Sequence, residues 1–427
     1  MVNEKSDSDN VTFRFADNGL EIANWLSYTY NQDFMKPTCE WSFTIDDSEG
    51  NLTDTLVYGV GINLYINNNI QCAGIIEKVT ETIDPRSGTV LKVQGRDIMA
   101  KVVEGCVSPK LQFPTNSKLE SIIKTVLKPL GITQIDNSDH LNLNVLTGKS
   151  FAPDEDQEFS KKQLKELKTH YGEGAFQFID KLLKRHGFMM WARADGKGVV
   201  ISQPNYTNKP IYVLKRSQNN TNTNNVLYAE RVVDGTGQPA MLYCKGFNNG
   251  DDTNVVSYDI IMVNELIGLD YNGDLLPEVA AYIADYQDQG AKVLNLRNVL
   301  IPLRQSFYQK PILVGSCFIK DDEAQSQEQL ENFVKRTMAH YQVKMNTLRY
   351  RVVGHTQNQI PWAVNTLVHV YDEVLGIDEP YWIINRTFSK SYSEGTYTDL
   401  KLIKPYTLDI STSGGKGTTK KISKQTK

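Results

Sequence analysis

Residues 348–405 read LRYRVVGHTQNQIPWAVNTLVHVYDEVLGIDEPYWIINRTFSKSYSEGTYTDLKLIKP. Four short runs in it are rich in β-branched and aromatic residues: 349–354, 366–370, 381–390 and 396–402. In the last run Tyr397, Asp399 and Lys401 alternate with Thr398, Leu400 and Leu402, the period-two pattern of a strand with one wet and one dry face. Turn signals separate the runs. Ser393-Glu394-Gly395 supplies the final hairpin, with Gly395 free to take a positive φ. The stretch predicts an antiparallel meander.

A second stretch, residues 62–96, reads INLYINNNIQCAGIIEKVTETIDPRSGTVLKVQGR and repeats the scheme of apolar strand, turn, charged strand end, Gly-Thr and closing strand. Aligning Gly88-Thr89 with Gly395-Thr396 puts Leu91-Lys92-Val93 against Leu400-Lys401-Leu402, with two extra residues in the later copy. The likeness is one of pattern. On the residues alone, duplication and coincidence stand level, because all hairpin-rich folds reuse such turns.

A length of 427 residues predicts two to four domains with substantial cores. The 40% hydrophobic and 22% charged fractions are those of an ordinary globular chain. No apolar run reaches the roughly 20 residues of a membrane helix, and residues 1–10 are polar, so neither a span nor a secretory signal is read. The chain therefore reads as one made and kept in a cytoplasm. A net charge of -4 and a pI near 6.0 argue against gripping phosphate backbones. Cys39, Cys72, Cys106, Cys244 and Cys317 are scattered and odd in number, as expected of reduced structural thiols.

In chain order, a polar leader (1–10) precedes an all-β region (11–98). Residues 99–215 read as an α/β module. Its first helix carries Leu119, Ile122, Ile123, Val126 and Leu127, starts at a Ser117/Glu120 capping box and stops at Pro129 and Gly131. A second helix spans 174–186, followed by a hairpin turning at Asp195-Gly196; residues 134–173 read as a solvated loop with a short helix. The tract SQNNTNTNN (217–225) reads as a linker or long loop. Strands resume at 226–247, and 248–347 reads as an insertion with one helix near 275–286 and a longer one near 323–345, capped by Asp322 with Gln325. The Lys-rich tail 409–427 reads as mobile.

No catalytic, cofactor-binding or metal-binding residue is assigned. His140, His170, His186, His340, His355 and His369 lack metal-ligand spacing and read as surface or structurally satisfied histidines. Asp251-Asp252 and Asp321-Asp322 are explained by loops and a helix start. Gly59-Val60-Gly61 lacks the rest of a dinucleotide fingerprint and reads as the start of a strand; Gly414-Gly415-Lys416-Gly417-Thr418 has phosphate-loop composition without its spacing. No GxSxG elbow occurs. Paired glycosidase carboxylates have no fixed spacing, so sequence leaves them open.

Val93-Gln94-Gly95-Arg96-Asp97-Ile98, the helix end Leu127-Lys128-Pro129-Leu130-Gly131-Ile132, the helix and hairpin of 174–201, and Tyr350-Arg351-Val352-Val353-Gly354-His355 followed by Trp362, Asn365 and Gly395-Thr396 share one order. That ordered set resembles the baseplate hub proteins of Mu-like contractile-tailed phages, the gpP or late-control-D-like family, over about 11–408. The resemblance implies a β-rich α+β multidomain fold with two tail-tube-like antiparallel β-barrels, 11–98 and 216–247 with 348–408, carrying small inserted α/β modules. It implies a homotrimer whose six barrels match a sixfold tail tube to a threefold central spike and form part of the DNA conduit. Tail tube and spike proteins are the implied partners, with baseplate wedge and tape-measure proteins behind them; no specific nucleic-acid binding, membrane association, cofactor or enzymatic activity is implied. The implied location is the virion tail baseplate, after assembly in the host cytoplasm. Two alternatives stay open: the hub of a related bacteriocin or secretion device, and a tail-associated cell-wall hydrolase.

Overall fold

The computed structural model describes residues 9–22, 25–48, 50, 52–84, 88–113, 117–136, 163, 164, 167–169, 171–185, 188–206, 208–219, 221–248, 256–263, 277–287, 292–295, 316–321, 327–391, 395–405 and 407. Expectations for most of the leader, for 137–162, for Asp322 and Gln325, and for the tail 409–427 lie outside them. The chain divides into two compact units. One takes Met1–Leu183, Phe188–Thr236 and Gln342–Thr407; the body of the other is Gly237–Tyr341. The fold is strongly β-rich, and most of its pairings are antiparallel.

The first unit opens with β1 (Val11–Phe15), β2 (Trp25–Asp33), β3 (Glu40–Asp46), β4 (Gly61–Ile66), β5 (Asn69–Asp84) and β6 (Gly88–Asp97). Alternation dictates what they bury: on β3, Trp41, Phe43 and Ile45 are dry while Ser42 and Thr44 are half-exposed. The Trp41 indole lies across the backbones of β5 and β6, which is why both strands carry glycine there. A Cβ on Gly95 would stand 2.1 Å from the Ile75 carbonyl oxygen and 2.4 Å from the indole. Backbone cannot retreat as a side chain can. Gly95→Ala is therefore expected to cost about 3 kcal/mol, the upper end for overpacking, read as a lowered urea midpoint; an unchanged midpoint would refute the close packing.

The module follows: α1 (Met99–Glu104), α2 (Leu119–Leu127), β7 (Gln134–Asp136), α3 (Ala175–Arg185), β8 (Met189–Ala192) and β9 (Gly198–Ser202). The apolar stripes of α2 and α3 meet each other and the β8–β9 hairpin in one core that includes Ile122, Ile123, Phe178, Leu182 and Val199. The expected capping box does not form. The helix starts at Leu119 with Lys118 as N-cap, and Ser117 instead pairs with Leu164 in a short antiparallel ladder. Gly131 closes that helical stretch in the left-handed region at φ 79°, as its sequence predicts.

Two boundaries move. β10 (Tyr212–Arg216), expected in the module, runs parallel to 368–372 and belongs to the second β region. β11 (Val226–Val233) joins that region as expected, but β12 (Met241–Asn248), placed there by sequence, belongs to the second unit. A strand's alternation records which face is dry and carries nothing about its neighbour. The tract 217–225 joins strands rather than spacing domains: the Asn225 side chain accepts from Lys215 N at 2.8 Å and donates to Val213 O at 2.7 Å, replacing a missing strand.

In the second unit β12 lies between β13 (Val256–Val263) and β15 (Ser316–Asp321), with β14 (Lys292–Asn295) beyond β13. Helix α4 (Pro277–Gln287) covers one face through Val279 and Ile283; α5 (Gln327–Met345) covers the other through Leu330, Val334 and Met338. The chain then returns to the first unit as β16 (Asn346–Val353), β17 (Thr366–Asp372), β18 (Ile377–Ser391) and β19 (Gly395–Ile403).

Candidate functional site

The two β regions are copies of one topology. Strands β2 to β6 lie in the order β4-β5-β6-β3-β2, and β11, β16, β17, β18 and β19 lie in the order β17-β18-β19-β16-β11. The correspondence holds residue by residue in the ladders β5–β6 and β18–β19 and in β2–β3 and β11–β16. Asp84 pairs with Gly88 and Ser391 with Gly395; both glycines have positive φ, and each member of the second pair stands 307 residues after the first. The ladder β5–β6 skips Glu77, and β18–β19 skips Ile384, again 307 later. The first strand of each copy skips a leucine, Leu26 in one and Leu227 in the other. Bulges inserted at equivalent points of equivalent ladders are a stronger mark of duplication than shared turns. They also correct the alignment drawn from sequence: Lys92 corresponds to Asp399, not Lys401, and the later copy carries no two extra residues. A slip of two leaves the wet and dry faces unchanged, so alternation could not expose the error.

The copies are joined edge to edge. Residues 385–390 of β18 pair antiparallel with 28–33 of β2, making one continuous sheet from β11 through β5 to β4 and β1. Among the described residues this sheet is an open path rather than two closed rings. On the dry side of the joint, Phe388 faces Tyr30 at 6.0 Å between ring centroids, and the buried Arg386 guanidinium lies 4.7 Å from the Phe388 centroid while donating to the Trp362 carbonyl.

Beside it a polar chain crosses the joint. Tyr28 bonds His355 Nε2; His355 Nδ1 lies 3.0 Å from Thr398 Oγ1; the Thr398 hydroxyl donates to Gly354 O at 2.6 Å. Because Thr398 spends its proton on Gly354, it accepts from Nδ1–H, which leaves Nε2 to accept from the Tyr28 hydroxyl. This arrangement needs a neutral imidazole. Burial lowers the His355 pKa to about 4 and holds the Tyr28 phenol far above its ordinary range.

Apart from Asp33, the wet face of the joint is uncharged and hydrogen-bonded: Thr29 with Ser42 at 2.8 Å, Asn31 with Thr387 at 2.8 Å. Farther out, cations sit beside carboxylates. Arg351 grips Asp399 at 2.7 and 3.0 Å, Arg96 grips Glu77 at 2.7 Å twice, and Arg349 reaches Glu230 at 3.4 Å. Exposed pairs of this kind add little stability, but they cancel charge that would hold a polyanion.

Among the described residues no three His, Cys, Asp or Glu side chains converge as a metal site. His340 is anchored to Arg336 O, and His369 to Asp378 at 2.7 Å. His140, His170, His186, Asp251-Asp252 and Asp322 lie outside the described residues, and Gly61 begins β4. No disulfide joins the five cysteines; desolvation raises the pKa values of Cys39 and Cys72, and the nearby Asp97 carboxylate adds to it.

Comparison with known proteins places both copies among phage tail and baseplate families. Residues 13–97 match the family model of the Mu phage baseplate assembly protein GpP-like N-terminal domain, and residues 341–404 match that of the NMB1110-like tail protein C-terminal domain. These two segments carry the match to Mu-like tail and baseplate families, in the order the resemblance implied. The two matches fall on the two copies. A solved tail protein from Neisseria meningitidis MC58 is similar at 18% identity and a TM-score of 0.67, covering 94% of this chain and 99% of the other. The 43 kDa tail protein of prophage MuSo2 from Shewanella oneidensis is similar at 16% identity and a TM-score of 0.65, with 93% and 99% covered. No curated protein matches the sequence.

Proposed function

We propose that this protein is a non-enzymatic baseplate hub that assembles as a trimer, joins the sixfold tail tube to the threefold central spike and forms part of the DNA conduit. The observation that carries the reading is the duplication. Three chains with two register-matched copies each offer six equivalent faces toward a tube, while the segments that differ between the copies keep threefold symmetry toward a spike. In this reading each copy is one tube-like barrel, completed by its neighbours in the assembly. The wet face of the sheet, polar and charge-balanced, suits a wall past which DNA slides. Virion baseplate location after cytoplasmic assembly follows from the same reading.

Stoichiometry is the direct test. Mass photometry of the purified protein, alone and mixed with tail tube and spike proteins, is expected to give a species of three chains. A chain that remains single in every mixture would overturn the hub. A peptidoglycan zymogram is expected to stay dark; clearing that is abolished by one Glu or Asp replacement would overturn the non-enzymatic part.

A further inference from the structure

One end of the sheet, β11, and the outer half of β5, which runs past the end of its neighbour β4, are the counterparts of the two elements that meet at its internal joint. At the joint, residues 385–390 of β18 in the second copy pair with 28–33 of β2 in the first. The equivalents are residues 78–83 of β5, displaced by 307, and 229–234 running from β11, displaced by the 201 that carries Leu26 to Leu227. Among the described residues, β5 beyond Ile76 bonds only β6, and β11 bonds only β16. The β5 edge is largely exposed, with Ile83 at 74% accessible, and residues 229–233 of the β11 edge are half-buried. Such edges invite another strand unless something covers them.

We infer that the cover is a second copy of this chain: β5 residues 78–83 of one protomer pair antiparallel with 229–234 of the next, in the register of the internal joint. That register makes Lys78 face Asp234, Val79 face Val233, Thr80 face Val232, Glu81 face Arg231, Thr82 face Glu230 and Ile83 face Ala229. The internal joint was the only guide to these pairs, yet the pairs it selects are chemically matched. Both pairs in which each partner is charged are of opposite sign, and the rest are apolar or polar with no like charges opposed. The inference rests on the hub reading for the number of chains in the ring and names the surface by which they join.

The test uses the full chain with Cys106→Ser, Thr80→Cys and Val232→Cys. The internal equivalents of these positions, Thr387 and Asn31, touch at 2.8 Å, a reach that suits a disulfide. Mild oxidation is expected to give covalent dimers and closed trimers on a non-reducing gel. Each single cysteine variant, and the misregistered pair Ile83→Cys with Val232→Cys, is expected to give none. Glu81→Arg alone is expected to weaken assembly at least tenfold, and Arg231→Glu added to it to restore assembly. Trimers by mass without the disulfide would overturn the seam and leave the hub standing. Crosslinked rings of another number would overturn threefold symmetry and leave the seam standing. Single chains with no crosslink would overturn both.

Discussion

Between pH 6.5 and pH 4 the wild-type protein is expected to lose about 3 kcal/mol of folding stability relative to His355→Gln. The unfolded imidazole titrates near 6.5 and the folded one near 4, so in this window the unfolded state binds the extra proton. Stability tied to His355 is thus fully present above pH 6.5 and is lost as pH falls toward 4, at about 1.4 kcal/mol per unit. Comparison with the variant is essential because Asp97 works in the opposite sense. Its carboxylate accepts from Cys39 N at 2.9 Å and Met99 N at 3.0 Å, but burial outweighs both and pushes its pKa up to about 6. A raised carboxyl stabilises the fold below its unfolded pKa and loses that contribution as pH rises through 6, so Asp97 masks His355 in the wild type and cancels from the difference. Urea midpoints from pH 7 to pH 4 read it directly. Parallel curves for wild type and His355→Gln would show that the Tyr28–His355–Thr398 chain tolerates a charged ring.

Trp382→Ala is expected to be the most damaging single truncation, costing about 3–5 kcal/mol. The indole is wholly buried on β18, where it meets Phe34 at the end of β2 and Tyr206 beyond the module, at centroid distances of 5.1 and 5.0 Å. Its Nε1 donates to Asn365 Oδ1 at 3.2 Å, an oxygen that also accepts from Asn205 N at 2.8 Å. One side chain thus ties both copies to the segment that follows the module, and its loss leaves a cavity no single element can collapse into. Trp382→Phe keeps part of the packing and forfeits the indole donor, so a loss of about half that size is expected. The urea midpoint again measures both; a Trp382→Ala midpoint within error of wild type would place the copies' cohesion elsewhere.

Much of this was legible in the chain. Alternation located the strands of 348–405 and 62–96, and the apolar stripes of 119–127 and 175–185 located the module helices with ends correct to a residue or two. The joint was not legible. Tyr28, His355 and Thr398 are separated by 327 and 43 residues, and nothing in their local pattern distinguishes a satisfied core histidine from a surface one. Membership of β10 and β12 was misread for a related reason: each is an ordinary strand whose sheet is chosen by edges far away in sequence.

Sequence alone determined the periods: which residues are dry, where turns reverse the chain, and that two stretches share a pattern. Periods are local consequences of backbone geometry, so they survive in a linear reading. Tertiary structure alone decided register, and with it that β19 stands 307 residues after β6 with no residues inserted in the hairpin, that β18 passes from its own copy to β2, and that among the described residues the equivalent edges on 78–83 and 229–234 meet no further strand. Register is set by which backbone groups find partners across strands. A two-residue slip preserves every hydrophobic contact pattern while changing every one of those partners.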